Sequence, residues 1–306
     1  MSDSSATRVN RRDFLKFSGA GLSGLLLHPS GQALASTPAD DDLAILYDAS
    51  KCIGCRTCER ACKTYNCLPA PEEANTELSA TAWNLIVVRN RDDLDGQPYF
   101  NYQCMHCTDA ACAMVCPSGA LAVTDRGFVS FNPDKCAGCG YCTQFCPFGI
   151  PQLGMANLIT GAARAAKCNF CQDKIATSTD ETSCADVDFG GPSCAEACPT
   201  TALTWGHRGT LLAGAKARVA ELKTSGHTGA LLYGEHEAGG LHRLSILLDQ
   251  PSAYGLPDDP GGQFTLARLY RKIIQPVGFA VFGAALVGIT AAFGLARRNI
   301  HMEEVE

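Results

Sequence analysis

Sixteen of the 18 cysteines in this 306-residue chain fall into four groups of four. The first is Cys52, Cys55, Cys58 and Cys62. The second is Cys104, Cys107, Cys112 and Cys116, with Pro117 next. The third is Cys136, Cys139, Cys142 and Cys146, with Pro147 next. The fourth is Cys168 and Cys171, then, after an insertion, Cys194 and Cys198, with Pro199 next. Thiols at this density can form disulfides, enclose zinc or hold iron–sulfur clusters, and spacing separates these chemistries. Structural zinc takes two short Cys pairs set a dozen or so residues apart. Here the first three cysteines of each unsplit group lie close enough for one loop to wrap a cubic cluster. A fourth, after three intervening residues, turns away toward a second cluster, as in two-cluster ferredoxins. Proline fixes φ and lacks an N–H, so it turns the chain just past that ligand. Gly54 and Gly138 permit tight turns beside the metal. Disulfides need no such regular triplets. The expected cofactors are therefore four 4Fe–4S clusters, and Cys67 and Cys184 are left over as ordinary or partly exposed thiols.

The second and third groups are neighbours in sequence and are expected to share one module, which leaves the first and fourth to share another. Crossing the fourth ligands gives four sets. Set 1 is Cys52, Cys55, Cys58 and Cys198; set 2 is Cys168, Cys171, Cys194 and Cys62. Set 3 is Cys104, Cys107, Cys112 and Cys146; set 4 is Cys136, Cys139, Cys142 and Cys116. His106, inside the second group, is read as a loop histidine in contact with solvent or backbone, with tuning of a cluster potential by hydrogen bonding as the alternative.

Short elements must hold these loops. Leu121–Thr124 and Phe128–Phe131 read as strands around an Asp125-Arg126-Gly127 turn, and Leu43–Tyr47, Asn84–Val88, Ala202–Trp205 and Leu244–Leu248 read as further strands. Thr210–Lys223 has apolar residues near helical spacing. The expected fold is α+β: two ferredoxin-like 4Fe–4S modules, one inserted in the other, plus one C-terminal transmembrane helix. Module 1 takes 43–100 with 160–206, module 2 takes 101–159, and an extension covers 207–265.

The two ends carry targeting signals. Asn10-Arg11-Arg12-Asp13-Phe14-Leu15-Lys16, the apolar stretch Phe17–Leu27 and Ala33-Leu34-Ala35 together form a twin-arginine signal peptide over 1–35. That route exports folded proteins, which suits a chain whose cofactors are inserted before export. Ile273–Ala296 carries no charge; at 1.5 Å per residue it spans about 36 Å, enough for a bilayer core. With the body exported, the tail 297–306 stays cytoplasmic. The formal charge of −6 offers no footprint for nucleic acid. No nucleophile–base pair, phosphate loop or dinucleotide fingerprint is present in the sequence, so a non-catalytic electron-transfer role is expected.

The four Cys groups, including Cys104-Met105-His106-Cys107 and the Cys-Pro endings, resemble the four-cluster ferredoxin-like electron-transfer subunits of bacterial membrane oxidoreductases. Formate dehydrogenase iron–sulfur subunits share that pattern and the C-terminal membrane helix, but generally lack their own export signal. A chain with both signal and anchor, and with Leu232-Tyr233-Gly234-Glu235 and Gly239-Gly240 before a strand, is similar to the iron–sulfur subunit of hydrogenase 2 type nickel–iron uptake hydrogenases (operon protein A). The resemblance implies electrons passing from a periplasmic hydrogenase (small and large subunits) to a quinone-reactive integral membrane partner. Two alternatives are the same wire in a formate dehydrogenase or other molybdenum or tungsten oxidoreductase, and a zinc-stapled anchor.

Overall fold

Leu43–Asp48, strand β1, has almost every residue buried, as expected of a central strand covered on both faces. A computed structural model describes residues 37–70, 76–88, 99–157, 162–176, 190–258 and 260–298. The expected signal peptide, most of the expected tail and Cys184 lie outside them. The described residues divide into two units, the larger ending at Arg271 and the smaller starting at Lys272.

In the larger unit, β1 lies between β8 (Leu203–His207), antiparallel to it, and β10 (Arg243–Leu247), parallel to it; β9 (Leu231–Tyr233) completes the order β8-β1-β10-β9. Side chains alternate across a strand, so the sheet has two distinct faces. Leu46, Ile246 and Leu248 meet Ala215, Val219 and Leu222 of helix α6 (Arg208–Thr224) on one face. Arg218 ties this helix to the strand by an ion pair with Asp48 at 3.2 Å. Ile45, Tyr47 and Leu247 face the other way, into a core that also contains Cys52, Cys58, Cys104, Cys168 and Cys194. Tyr47 is fully buried, meets Phe100 edge-on at 5.5 Å and donates its hydroxyl to Tyr99 O at 2.8 Å. A buried tyrosine combines a large apolar area with a satisfied hydroxyl.

The cysteine loops hang below this face between three hairpins. These are β2–β3 (Asn84–Val88, Tyr99–Gln103), β4–β5 (Leu121–Val123, Val129–Phe131) and β6–β7 (Gln152–Asn157, Ala162–Ala166). Short helices lie between them: α1 (Thr57–Tyr65), α2 (Ala111–Met114), α3 (Tyr141–Phe145) and α5 (Ser193–Glu196) carry cysteines, and α4 (Gln172–Ala176) starts immediately after Cys171.

Helix α7 (Gly261–Leu269) sends Phe264 and Ala267 into the core and packs on α2 and α3. A π-helical turn, Tyr270–Ile274, joins it to α8 (Gln275–Arg298). Phe264–Gly294 forms one helix long and apolar enough to cross a membrane. The segment expected to span, 273–296, thus overlaps a longer helical run. Along it Val277, Phe279, Val281, Phe282, Ile289 and Phe293 are exposed.

Candidate iron–sulfur centres

The second residue between the first two cysteines of every group has positive φ: Gly54 (+68°), His106 (+46°), Gly138 (+68°) and Phe170 (+64°). The same left-handed turn therefore curls the chain back beneath each pair of thiols. Glycine enters that region at no steric cost, and close approach requires it here too. A Cβ on Gly54 would lie 2.5 Å from the Tyr99 ring, and one on Gly138 2.3 Å from Ala163 O. His106 and Phe170 hold the turn without glycine, at a steric cost, and packing compensates. Their rings meet edge-to-face at 4.9 Å, and Phe170 stacks on Phe128 at 4.9 Å.

These loops bring the sixteen cysteines together in the four crossed sets. Around Cys58 lie Cys52, Cys198 and Cys55. Around Cys62 lie Cys168, Cys171 and Cys194, where α1 packs on α5. Cys107 is surrounded by Cys146, Cys104 and Cys112, and Cys142 by Cys116, Cys139 and Cys136. Sets 1 and 4 also line cavities of about 300 Å³ and 320 Å³, counting their open mouths.

The sets themselves run in a line. Cys58 of set 1 neighbours Cys62 and Cys194 of set 2. Cys168 of set 2 neighbours Cys104 of set 3, and Cys112 of set 3 neighbours Cys142 of set 4. Cys55 and Cys139, one in each end set, are exposed, whereas all four thiols of set 2 are buried.

Burial pushes several of the enclosed thiols upward, and neighbouring thiols add to it. Cys58 is raised to about 12 by burial and then by Glu59 and the other thiols of its set. Cys142 reaches about 11, and Cys62 and Cys194 are raised well above the usual thiol range. Four thiolates in one dry site repel each other, so only a compact positive core lets all four ionise. Exposed Cys55 moves the other way, lowered first by a hydrogen bond from Thr57.

The residues present fit 4Fe–4S cubes better than the rival chemistries. Among the described residues no three His, Cys, Asp or Glu side chains converge tightly enough for one metal ion, as zinc requires at about 2.3 Å per sulfur. All sixteen run cysteines are free thiols. Polar groups already aim at the sulfurs. Ala165 N–H donates to Cys136 Sγ at 3.4 Å, Asn101 Nδ2 to Cys58 Sγ at 3.5 Å and Asn66 Nδ2 to Cys62 Sγ at 3.6 Å. Ser118 and Thr200, at matching places after Cys116-Pro and Cys198-Pro, lie 3.6 and 3.8 Å from those sulfurs. Buried donors at Gln103 Nε2, His106 Nε2, Thr108 Oγ1 and Arg243 Nε have no protein acceptor. Such groups demand a partner, and the sulfurs of a bound cluster would supply acceptors.

His106 is buried, and its Nδ1 accepts from Val129 N–H at 3.1 Å, so it contacts backbone and not solvent. Burial, then the Lys167 charge, holds its pKa well below the usual histidine range. Cys67, expected as an ordinary thiol, is disulfide-bonded. It lies exposed past the end of α1, outside the loops that gather the thiols, and an oxidised sulfur has no thiolate to offer a cluster. Lys167 escaped sequence reasoning: it is buried and donates to Val129 O and Cys168 O, both at 2.8 Å. The signal was its position, immediately before Cys168.

Comparisons with known proteins agree with this chemistry. Residues 97–208 match a 4Fe-4S dicluster domain model and 43–64 a 4Fe-4S binding domain model. The chain is 31% identical to the formate dehydrogenase iron-sulfur subunit of Haemophilus influenzae, over 98% of this chain and 93% of the relative. It is 32% identical to the formate dehydrogenase-O iron-sulfur subunit of Escherichia coli K12, over 87% and 90%. It is also 32% identical to the hydrogenase-2 operon protein HybA of Escherichia coli O157:H7, over 95% and 96%. The chain therefore belongs to the family of 4Fe–4S electron-transfer subunits that includes the formate dehydrogenase iron–sulfur subunits and HybA.

Proposed function

We propose that the chain is a four-cluster electron wire serving a periplasmic hydrogenase and a quinone-reactive membrane partner. The observation that carries this reading is the line of four thiol sets, exposed at Cys55 on one end and at Cys139 on the other. The clusters supply one-electron transfer; the chain fixes their order, excludes water from the middle and tunes them through N–H···S contacts. Sets 1 and 2 draw on the first and last Cys groups, and sets 3 and 4 on the two between. That division supports one module (101–159) inserted in another (43–100 with 160–206).

Set 4 is proposed as an electron exit. Tyr270, which precedes Arg271 and Lys272 at the head of the apolar helix, lies near Cys139. It packs against Tyr141 and Phe145 of α3 at 5.6 and 5.5 Å. Anchoring by 273–296, export through the signal at 1–35, a periplasmic body and a cytoplasmic tail complete the reading. The apolar helix and the HybA relative support it.

The second reading places the same wire in a formate dehydrogenase, as the names of two relatives suggest at nearly equal identity. The arginine pair at Arg11-Arg12 in this chain's own leader favours hydrogenase. Purifying the native complex and assaying its metals tests both readings. Nickel supports the hydrogenase wire; molybdenum or tungsten replaces it with the second reading; zinc in a colourless protein overturns both.

A further inference from the structure

Arg243 begins β10 and is 1% exposed. It lies on the sheet face that carries Ile45 and Tyr47, whose ring centre is 5.1 Å from its guanidinium carbon. One terminal nitrogen donates to Asn101 O at 3.0 Å and Asn101 Oδ1 at 2.8 Å; the other donates to Leu244 O at 3.1 Å. Its Nε–H has no protein acceptor, and no carboxylate pairs with it among the described residues. The thiols that it faces are Cys194, Cys168 and Cys58. Asn101, which it grips, donates in turn to Cys58 Sγ at 3.5 Å.

A guanidinium buried without a carboxylate is costly unless another anion compensates it, and arginine keeps its charge at any ordinary pH. A cluster ligated by four thiolates is anionic and gains a further negative charge on one-electron reduction. A fixed positive charge in a low-dielectric site therefore favours the reduced form.

Building on the cluster sets above, we propose that Arg243 is a potential-setting residue: its buried guanidinium, between Cys58 of set 1 and Cys168 and Cys194 of set 2, raises the reduction potentials of those two clusters. The electron arrives from the upstream reductant and leaves to the next cluster, while Arg243 keeps its proton.

The test is a dithionite titration of the full-length protein, followed cluster by cluster by electron paramagnetic resonance, with iron content measured alongside. In Arg243→Met the reduced-to-oxidised ratio of two clusters at fixed poise should fall about tenfold, which is about 59 mV downward for one electron. The other two should hold, and Arg243→Lys should restore most of the shift. No shift in an iron-replete Arg243→Met protein overturns the proposal. So do equal shifts in the Lys and Met variants, or shifts in all four clusters, since those mark a structural role. If Arg243→Met fails to assemble, the decision passes to protein labelled with 15N-arginine. A nitrogen coupling to a reduced cluster that disappears in Arg243→Lys supports the proposal, and its absence overturns it. An iron content far below about sixteen per chain in the unmutated protein removes the cluster reading itself and is read separately.

Discussion

Gly138→Ala probes how closely the third Cys group is held against its neighbour. Gly138 has φ +68°, and a Cβ there would stand 2.3 Å from the Ala163 carbonyl oxygen. Alanine in the left-handed region costs about 1–2 kcal/mol. Moving a backbone carbonyl aside adds an overpacking cost of about 1–3 kcal/mol, so about 2–5 kcal/mol is expected in total. The carbonyl belongs to β7, two residues before Ala165, whose N–H donates to Cys136 Sγ at 3.4 Å. Displacing β7 therefore loosens set 4 first. Gly119→Ala is the matched control: it sits just after Cys116 of the same set, at φ +65°, and a methyl group there would have nothing within 4 Å. It should cost only the first increment. Guanidinium titration followed by bleaching of visible absorption gives both midpoints. Equal losses in the two variants would refute the close-contact reasoning.

Cys62→Ala should remove a ligand from set 2 and leave set 1 intact, so the altered paramagnetic signal belongs to the buried set and not to the neighbours of Cys58. Cys67→Ser should lower thermal stability without changing iron content, because this residue is held in a disulfide; iron loss would return Cys67 to the ligands. Glu59 is buried, and burial raises its pKa although Ile86 N–H and Arg56 oppose the shift. A folded-state pKa above the unfolded one penalises the native state as pH rises through that range. Glu59→Gln should therefore flatten the fall in stability as pH rises above about 4, and a variant with unchanged pH dependence contradicts the sign.

The cysteine chemistry was legible because ligand spacing survives without any knowledge of packing. Strands β1, β2 and β10 were legible for a related reason, each being a short apolar run between turn residues. Strand β3 was not, since Tyr99–Gln103 mixes aromatic and amide side chains. Its polar members are buried for a tertiary reason: Asn101 serves Cys58 and Asn84. The turn shared by all four groups was half visible, signalled by Gly54 and Gly138. His106 and Phe170 adopt it only because their rings pack together, which spacing does not encode. Arg243 lies just ahead of the expected strand Leu244–Leu248, and only the assembled face reveals the thiols around it. The entry helix α7 was hidden because Gly261 and Gly262 argue against helix, while Phe264 and Ala267 are stabilised by core burial.

The central claim is that sixteen cysteines hold four cubic clusters in one line. Iron and acid-labile sulfide per chain, measured on the anaerobically purified full-length protein, test it most directly. The account predicts about sixteen of each; about eight or fewer, or zinc in place of iron, contradicts it.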